Sequence, residues 1–181
     1  PTLLDLGWRS FFADQLAPGE PTGDVLRIAG VIRTSANGIS PDGEVPLTFP
    51  PGMSAGELAI GDWVLCSPGG HRIVRVLERE STLSRRAAGS EAKSQLIAAN
   101  LDTLFITTSC NSDFNLARLE RYVALALDAG IAPVIVLTKT DETPDPDSYI
   151  SQARDVSDKL EAVIALDARE QMQMQPLRKW C

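Results

Sequence analysis

The sequence predicts an α/β protein with a separate all-β domain: an N-terminal barrel of the OB type followed by part of a parallel βαβ sheet. Two observations carry this expectation. Up to about Leu83 the apolar runs are short and densely punctuated by turn residues, which indicates a small antiparallel β domain. Beyond a linker expected over 84–94, continuous apolar runs alternate with helical spacing, which indicates parallel strands joined by crossover helices. The expected division is therefore 1–83 for the barrel, 84–94 for the linker and 95–181 for the α/β part.

In the first part, Val25 to Arg33, Gly38 to Ser40, Gly43 to Phe49, Asp62 to Cys66 and His71 to Leu77 read as strands. Asn37-Gly38, Asp42-Gly43, Pro50-Pro51-Gly52 and Pro68-Gly69-Gly70 read as the turns between them. A five-stranded OB barrel accommodates this spacing, as does an SH3-like sheet. In the second part, Asp102 to Thr108 is a partly β-branched run suited to a strand buried on both faces. Asn111, Ser112 and Asp113 offer N-caps for a helix carrying Leu116, Leu119, Val123, Ala126 and Leu127, which Gly130 ends. Val134 to Leu137 is a second buried strand, Ser148 to Leu160 a second helix and Val163 to Leu166 a third strand. Glu170 to Gln175 reads as a flexible or helical connector.

Composition narrows the function classes. With 44% hydrophobic residues in 181, the chain can bury a core, and no apolar run approaches the roughly 20 residues of a membrane helix. Pro1 to Phe12 lacks the basic start and apolar stretch of a secretory signal, so a cytoplasmic location with no membrane partner is expected. Three scattered cysteines suit reduced thiols, and one histidine without a C-x-x-C pair gives no zinc motif; Cys66 and His71 read as structural. A net charge of −7 argues against a surface that grips nucleic acid everywhere. No G-x-G-x-x-G follows an expected strand, which disfavours a dinucleotide-binding oxidoreductase.

The segment Thr138-Lys139-Thr140-Asp141 directly follows the strand Val134 to Leu137, where open α/β sheets bind ligands. A carboxylate there can accept two hydrogen bonds from the N1 and N2 donors of guanine, a pairing adenine cannot reproduce. The wrong base would leave that acceptor unpaired. The Lys139 stem can lie along the ring while its ammonium reaches phosphate-loop groups. Some 25 residues on, Ala165-Leu166-Asp167 ends the third strand, where a backbone N–H, with Ala165 and Leu166 as candidates, can meet the guanine O6.

Several runs together, GDWV from Gly61, VLERESTLSRR from Val76, QLIAANLD from Gln95, DFNLARLERY from Asp113 and GIAPVIVLTKTD from Gly130, resemble the RsgA/YjeQ GTPases in order and spacing. The resemblance covers about 23–167. It implies an OB domain followed by a P-loop GTPase-like domain with permuted motifs, the guanine-specificity motif preceding the phosphate loop. It further implies GTP hydrolysis stimulated by the small ribosomal subunit, assisting late maturation of that particle, with Mg²⁺ as the expected metal. Two departures stand out. Thr138 replaces the family's usual Asn, which implies weaker guanine affinity. No G-x-x-x-x-G-K-[ST] occurs in the 181 residues, and the resemblance places it shortly after Trp180. The chain is accordingly expected to read guanine without catalysing hydrolysis: no catalytic residue and no metal ligand is assigned within it, and zinc is expected only beyond it.

Arg72, Arg75, Arg79, Arg85, Arg86 and Lys93 concentrate positive charge between the last barrel strand and the linker, a candidate contact for ribosomal RNA. Glu78, Glu80 and Glu91 interleave and offer ordinary ion pairs instead. Trp63 reads as core rather than a stacking platform. The alternative to a GTPase is an OB-fold RNA-binding module whose α/β half is a nucleotide-inactive scaffold.

Overall fold

Short alternating strands and tight turns produce a five-stranded antiparallel sheet between Val25 and Val76. In the computed structural model, which describes residues 1–20, 24–69, 71–86 and 94–181, its strands are β1 (Val25–Ile32), β2 (Ser35–Ser40), β3 (Gly43–Thr48), β4 (Trp63–Cys66) and β5 (Ile73–Val76). The sheet order is β3-β2-β1-β4-β5. A parallel bridge, Thr48 to Arg72, joins the two edges. There the His71 carbonyl accepts from the Thr48 N–H at 2.9 Å and from its hydroxyl at 3.1 Å. This order with a parallel edge contact is OB-like.

Alternation along β1 sorts its side chains between two cores. Leu26 and Ile28 pack with Ala36, Leu47, Leu58, Val64, Cys66 and Ile73. Val25 faces the other way, toward Trp8, Phe12, Trp63, Leu65 and Leu77. The short helix α1 (Ser10–Ala13) delivers Phe12 to this second core. Trp63 has no exposed surface and meets Trp8 edge-on at 4.8 Å, so it is core as the sequence indicates. Asn37-Gly38 lies inside β2 and is not a turn. A Cβ on Gly38 would stand 3.0 Å from both Leu26 and Leu47, so the glycine serves close packing rather than a bend.

The chain divides into two compact units, Pro1–Leu101 and Asp102–Cys181. The linker expected over 84–94 falls at 87–93 outside the described residues, as do Gly70 of the expected turn and Lys93 of the basic strip. Its described flanks are strands: β6 (Thr82–Arg86) and β7 (Ser94–Ala99) form an antiparallel pair within the first unit. Hydrogen bonds at the end of β7 tie this pair to the sheet. Ala99 N–H donates to the Ile60 carbonyl at 2.9 Å, Asn100 Nδ2 to the Gly61 carbonyl at 3.0 Å, and Arg27 to the Asn100 carbonyl at 2.9 Å.

The second unit holds β8 (Thr103–Ser109), α2 (Leu116–Asp128), β9 (Ala132–Thr138), α3 (Pro146–Arg154) and β10 (Ala162–Ala165). All three strands are parallel, in the order β10-β9-β8. Ile106, Leu119, Val123, Ile135 and Leu137 fill one face of the sheet. On the other, Val134, Val136 and Leu166 are covered by Leu177 and Trp180. These last two lie in a 3-10 segment, Gln171–Trp180, which extends the expected connector. The helix starts differ from expectation in an instructive way. Asn115 caps α2 by accepting from the Arg118 N–H at 2.9 Å, while Asn111 instead accepts from the Asp113 N–H in a local turn. Asp145 caps α3, and Pro146 is its first residue, so the helix opens two residues before the expected Ser148. No described helix is long and apolar enough to cross a membrane.

Candidate guanine-binding site

The apolar run of β9 buries the strand between neighbours on both sides and brings its polar successor to the carboxyl end of the sheet. Thr138, the last residue of β9, is half-buried. Its hydroxyl donates to the Thr108 carbonyl of β8 at 3.1 Å, and its own carbonyl accepts from the Cys110 N–H at 2.9 Å. The side chain where the resemblance expects Asn thus ties two strand ends together. Lys139 then takes a left-handed conformation, φ 56° and ψ 41°. Such a backbone is costly for a lysine and is found where a site requires it. It turns the chain into the 3-10 segment Thr140–Glu142, which presents Asp141. The Lys139 ammonium lies 3.8 Å from Glu142, whose carboxylate also accepts from Asn111 at 3.1 Å.

The third strand ends beside this turn. Ala165 is opposite Leu137 in the register, and the Leu166 N–H donates to the Leu137 carbonyl at 2.9 Å. Leu166 is also buried, so its amide belongs to the sheet rather than to a ligand. The next amide, of Asp167, donates to Gln173 Oε1 at 2.8 Å. Ala168 follows, exposed, and its N–H meets no protein acceptor among the described residues. Of the two residues that the sequence offered here, Ala165 ends β10 and Leu166 spends its N–H on the sheet.

Arg169 connects the two loops. Its Nη2 lies 2.6 Å from Asp141 Oδ2 and 2.7 Å from Asp167 Oδ2, and its Nε donates to Asp167 Oδ1 at 3.0 Å. The guanidinium hydrogen bonds, reinforced by the Arg169 N–H, hold the Asp167 carboxyl down to about 2, and the same contacts push the guanidinium up. Nothing in the composition of the loop singled out Arg169 or Gln173. Their role depends on a turn that folds 167–173 back toward Asp141.

The basic strip of the first unit resolves into unlike parts. Arg75 donates to Glu20 at 2.7 Å and to the Gln15 carbonyl at 2.8 Å. Arg79 grips Asp62 through two bonds of 2.7 and 2.8 Å. These two guanidiniums have partners within the unit. Arg72 is exposed, and exposed Arg85 donates to the neutral Gln95 at 3.0 Å, with no carboxylate partner among the described residues. Arg86 ends β6. Among the described residues no three His, Cys, Asp or Glu side chains converge as a metal ion would require.

The RsgA GTPase family model matches residues 76–181, which takes in the whole βαβ unit and both loops. The chain belongs to the RsgA GTPase family. Relatives extend the match across the barrel. A Mesorhizobium japonicum protein named "Small ribosomal subunit biogenesis GTPase RsgA" is 46% identical over 181 residues, covering 100% of this chain and 52% of that protein. A Vibrio vulnificus protein named "Small ribosomal subunit biogenesis GTPase RsgA 2" is 42% identical over 183 residues, covering 99% of this chain and 51% of its own length. The chain thus spans about half the length of the curated RsgA relatives it matches. A crystal structure of YjeQ from Thermotoga maritima shares the fold, with a TM-score of 0.60 at 15% identity, over 86% of this chain and 56% of that one. The OB-like sheet followed by parallel βαβ units, read first from turn spacing and periodicity, is the architecture of this chain.

Proposed function

We propose that this chain supplies the guanine-reading part of a GTP hydrolase that assists late maturation of the small ribosomal subunit in the cytoplasm. The observation that carries the reading is the placement of the Asp141 carboxylate and the Asp167 and Ala168 amides at adjoining strand ends in one unit. Guanine offers two donors on its N1–N2 edge and an acceptor at O6, so a carboxylate and a neighbouring amide complement it. Thr138 fixes the loop to β8, and Lys139, beside Asp141 in the loop, would offer its apolar stem to the ring. Ala165 and Leu166 contribute by positioning the turn that follows them.

Hydrolysis needs more than base recognition. Phosphoryl transfer depends on positioned phosphates and on Mg²⁺ held by a phosphate-loop Ser or Thr. No such loop occurs in these 181 residues. The proposed division of labour assigns GTP, GDP and Mg²⁺ to a site that this chain completes on the base side only. For the ribosomal partner, exposed Arg72 and Arg85 are the side chains best suited to rRNA phosphates, with Arg86 and Lys93 adding charge in the sequence.

The test compares GTP turnover by the 181-residue chain with that of a protein of its relatives' full length, each with and without small ribosomal subunits. No turnover by the short chain and subunit-stimulated turnover by the long protein is the expected pattern. Turnover by residues 1–181 alone would refute the division. A long protein indifferent to the subunit would refute the ribosomal assignment and favour an RNA-binding module with a silent scaffold.

A further inference from the structure

Two of the groups proposed to read guanine, the Asp141 carboxylate and the Asp167 amide, are already engaged, and by side chains of matching chemistry. Arg169 places a guanidinium nitrogen 2.6 Å from Asp141 Oδ2. The N1–C2–N2 edge of guanine is itself a guanidine unit, the same array of coplanar N–H donors. On the other side of the site, Gln173 Oε1 accepts from the Asp167 N–H at 2.8 Å. It stands where a carbonyl oxygen such as guanine O6 would bind. Donor to the carboxylate and acceptor from the strand-end amide both come from the same seven-residue segment, 167–173. We propose that Arg169 and Gln173 form an internal stand-in for guanine, a latch that occupies the base site and that nucleotide must displace.

This inference rests on the guanine reading of Asp141. Two features give the latch its character. The Arg169 side chain is 72% exposed and that of Asp141 40%, so the pair is weak, screened by salt and easily exchanged. Arg169 is also held by Asp167, 13% exposed, through Nε and through the same Nη2 that reaches Asp141. Opening therefore requires the guanidinium to swing off Asp141, with its Nε–Asp167 bond as the pivot, and Gln173 to leave one amide, with no disruption of β10. Because binding is reduced by the fraction of chains that are open, the latch lowers guanine affinity without touching the selectivity of the carboxylate.

The experiment is titration of the 181-residue chain, of Arg169→Ala and of Gln173→Ala with guanosine and adenosine, followed by backbone amide shifts of the second unit. Uncharged nucleosides keep phosphate electrostatics out of the measurement. Gln173→Ala leaves the Arg169–Asp167 pair in place and guards against a turn that rearranges in Arg169→Ala. Each variant is expected to bind guanosine about two- to fivefold more tightly, the range of an exposed pair. Raising salt should tighten guanosine binding to the parent chain and not to Arg169→Ala. Unchanged or weaker guanosine binding in both variants overturns the latch while the guanine reading stands. If no chain prefers guanosine to adenosine, the reading falls and the latch with it.

Discussion

Arg79 and Asp62 form a two-point ion pair in which the carboxylate has no solvent exposure at all. Nε and Nη2 donate at 2.7 and 2.8 Å, and the remaining demand of Asp62 is met by the Ala59 N–H at 2.8 Å. A second bond from Arg79 Nη2 to the Glu57 carbonyl, 2.7 Å, fastens the turn before β4. The pair clamps the segment that leads into Trp63. It also draws Arg79 out of the basic strip.

Removing Arg79 leaves a buried carboxylate without its cation, which costs about 3 kcal/mol. Arg79→Ala is expected to lower stability by that order in urea denaturation, whereas Arg72→Ala, at an exposed site, should change it by less than about 0.5 kcal/mol. Equal effects would contradict the assignment of Arg79 to the fold.

Gly61 is constrained twice over. Its φ is +93°, and a Cβ would stand 2.1 Å from the Ala99 carbonyl oxygen, the strand end that joins β7 to the sheet. Gly61→Ala should therefore cost about 3 kcal/mol, strain and overpacking together. Gly52 shares the positive φ, +89°, but faces open space, so Gly52→Ala should cost only about 1 kcal/mol of strain. Thermal unfolding of the two variants separates the contributions; a Gly61→Ala no worse than Gly52→Ala would mean that β7 can move away.

Acid should act on the loop through Asp167. Its carboxyl is lowered from 3.8 to about 2, first by the Arg169 side-chain hydrogen bonds and then by the Arg169 N–H. A depressed carboxyl stabilises the folded state fully above the unfolded value, and that contribution fades as pH falls from 3.8 through about 2. Carboxyl-carbon titration should place the Asp167 midpoint near 2 and move it toward 3.8 in Arg169→Ala. A midpoint near 3.8 in the parent chain would show that the fork is not formed in solution.

Much of this architecture is legible in the sequence because it rests on local rules. Val134 to Leu137 reads as a buried strand from its continuous β-branched and aliphatic run, and it is one. What escaped depends on contacts distant along the chain. The pairing of β6 with β7 joins residues on either side of 87–93, and nothing in Ser84-Arg85-Arg86 distinguishes a strand edge from a polar linker. Gly38 looks like a turn glycine until Leu26 and Leu47 close on it. In the site, Thr138 to Asp141 is visible as a motif following a strand, but Arg169 and Gln173 acquire meaning only when the turn after β10 folds back.

The rRNA assignment has its own check. Arg72→Glu with Arg85→Glu should weaken binding to small ribosomal subunits and flatten its salt dependence, since each phosphate contact contributes close to one unit of slope. Stability should be retained, because neither side chain bridges a carboxylate among the described residues of its unit. Unaltered binding and slope would place the RNA contact elsewhere on the protein.

The central claim is that Asp141 chooses the base. Its most direct test is the competition of guanosine and xanthosine for the parent chain and for Asp141→Asn. Xanthine presents an acceptor where guanine carries its N2 donor, so an amide in place of the carboxylate should reverse the order of affinity. The account predicts guanosine preferred by the parent chain and xanthosine by Asp141→Asn, each by tenfold or more, on the order of the ~1.4 kcal/mol that separates a paired from an unpaired polar edge. An Asp141→Asn chain that keeps the parent's preference for guanosine would contradict it.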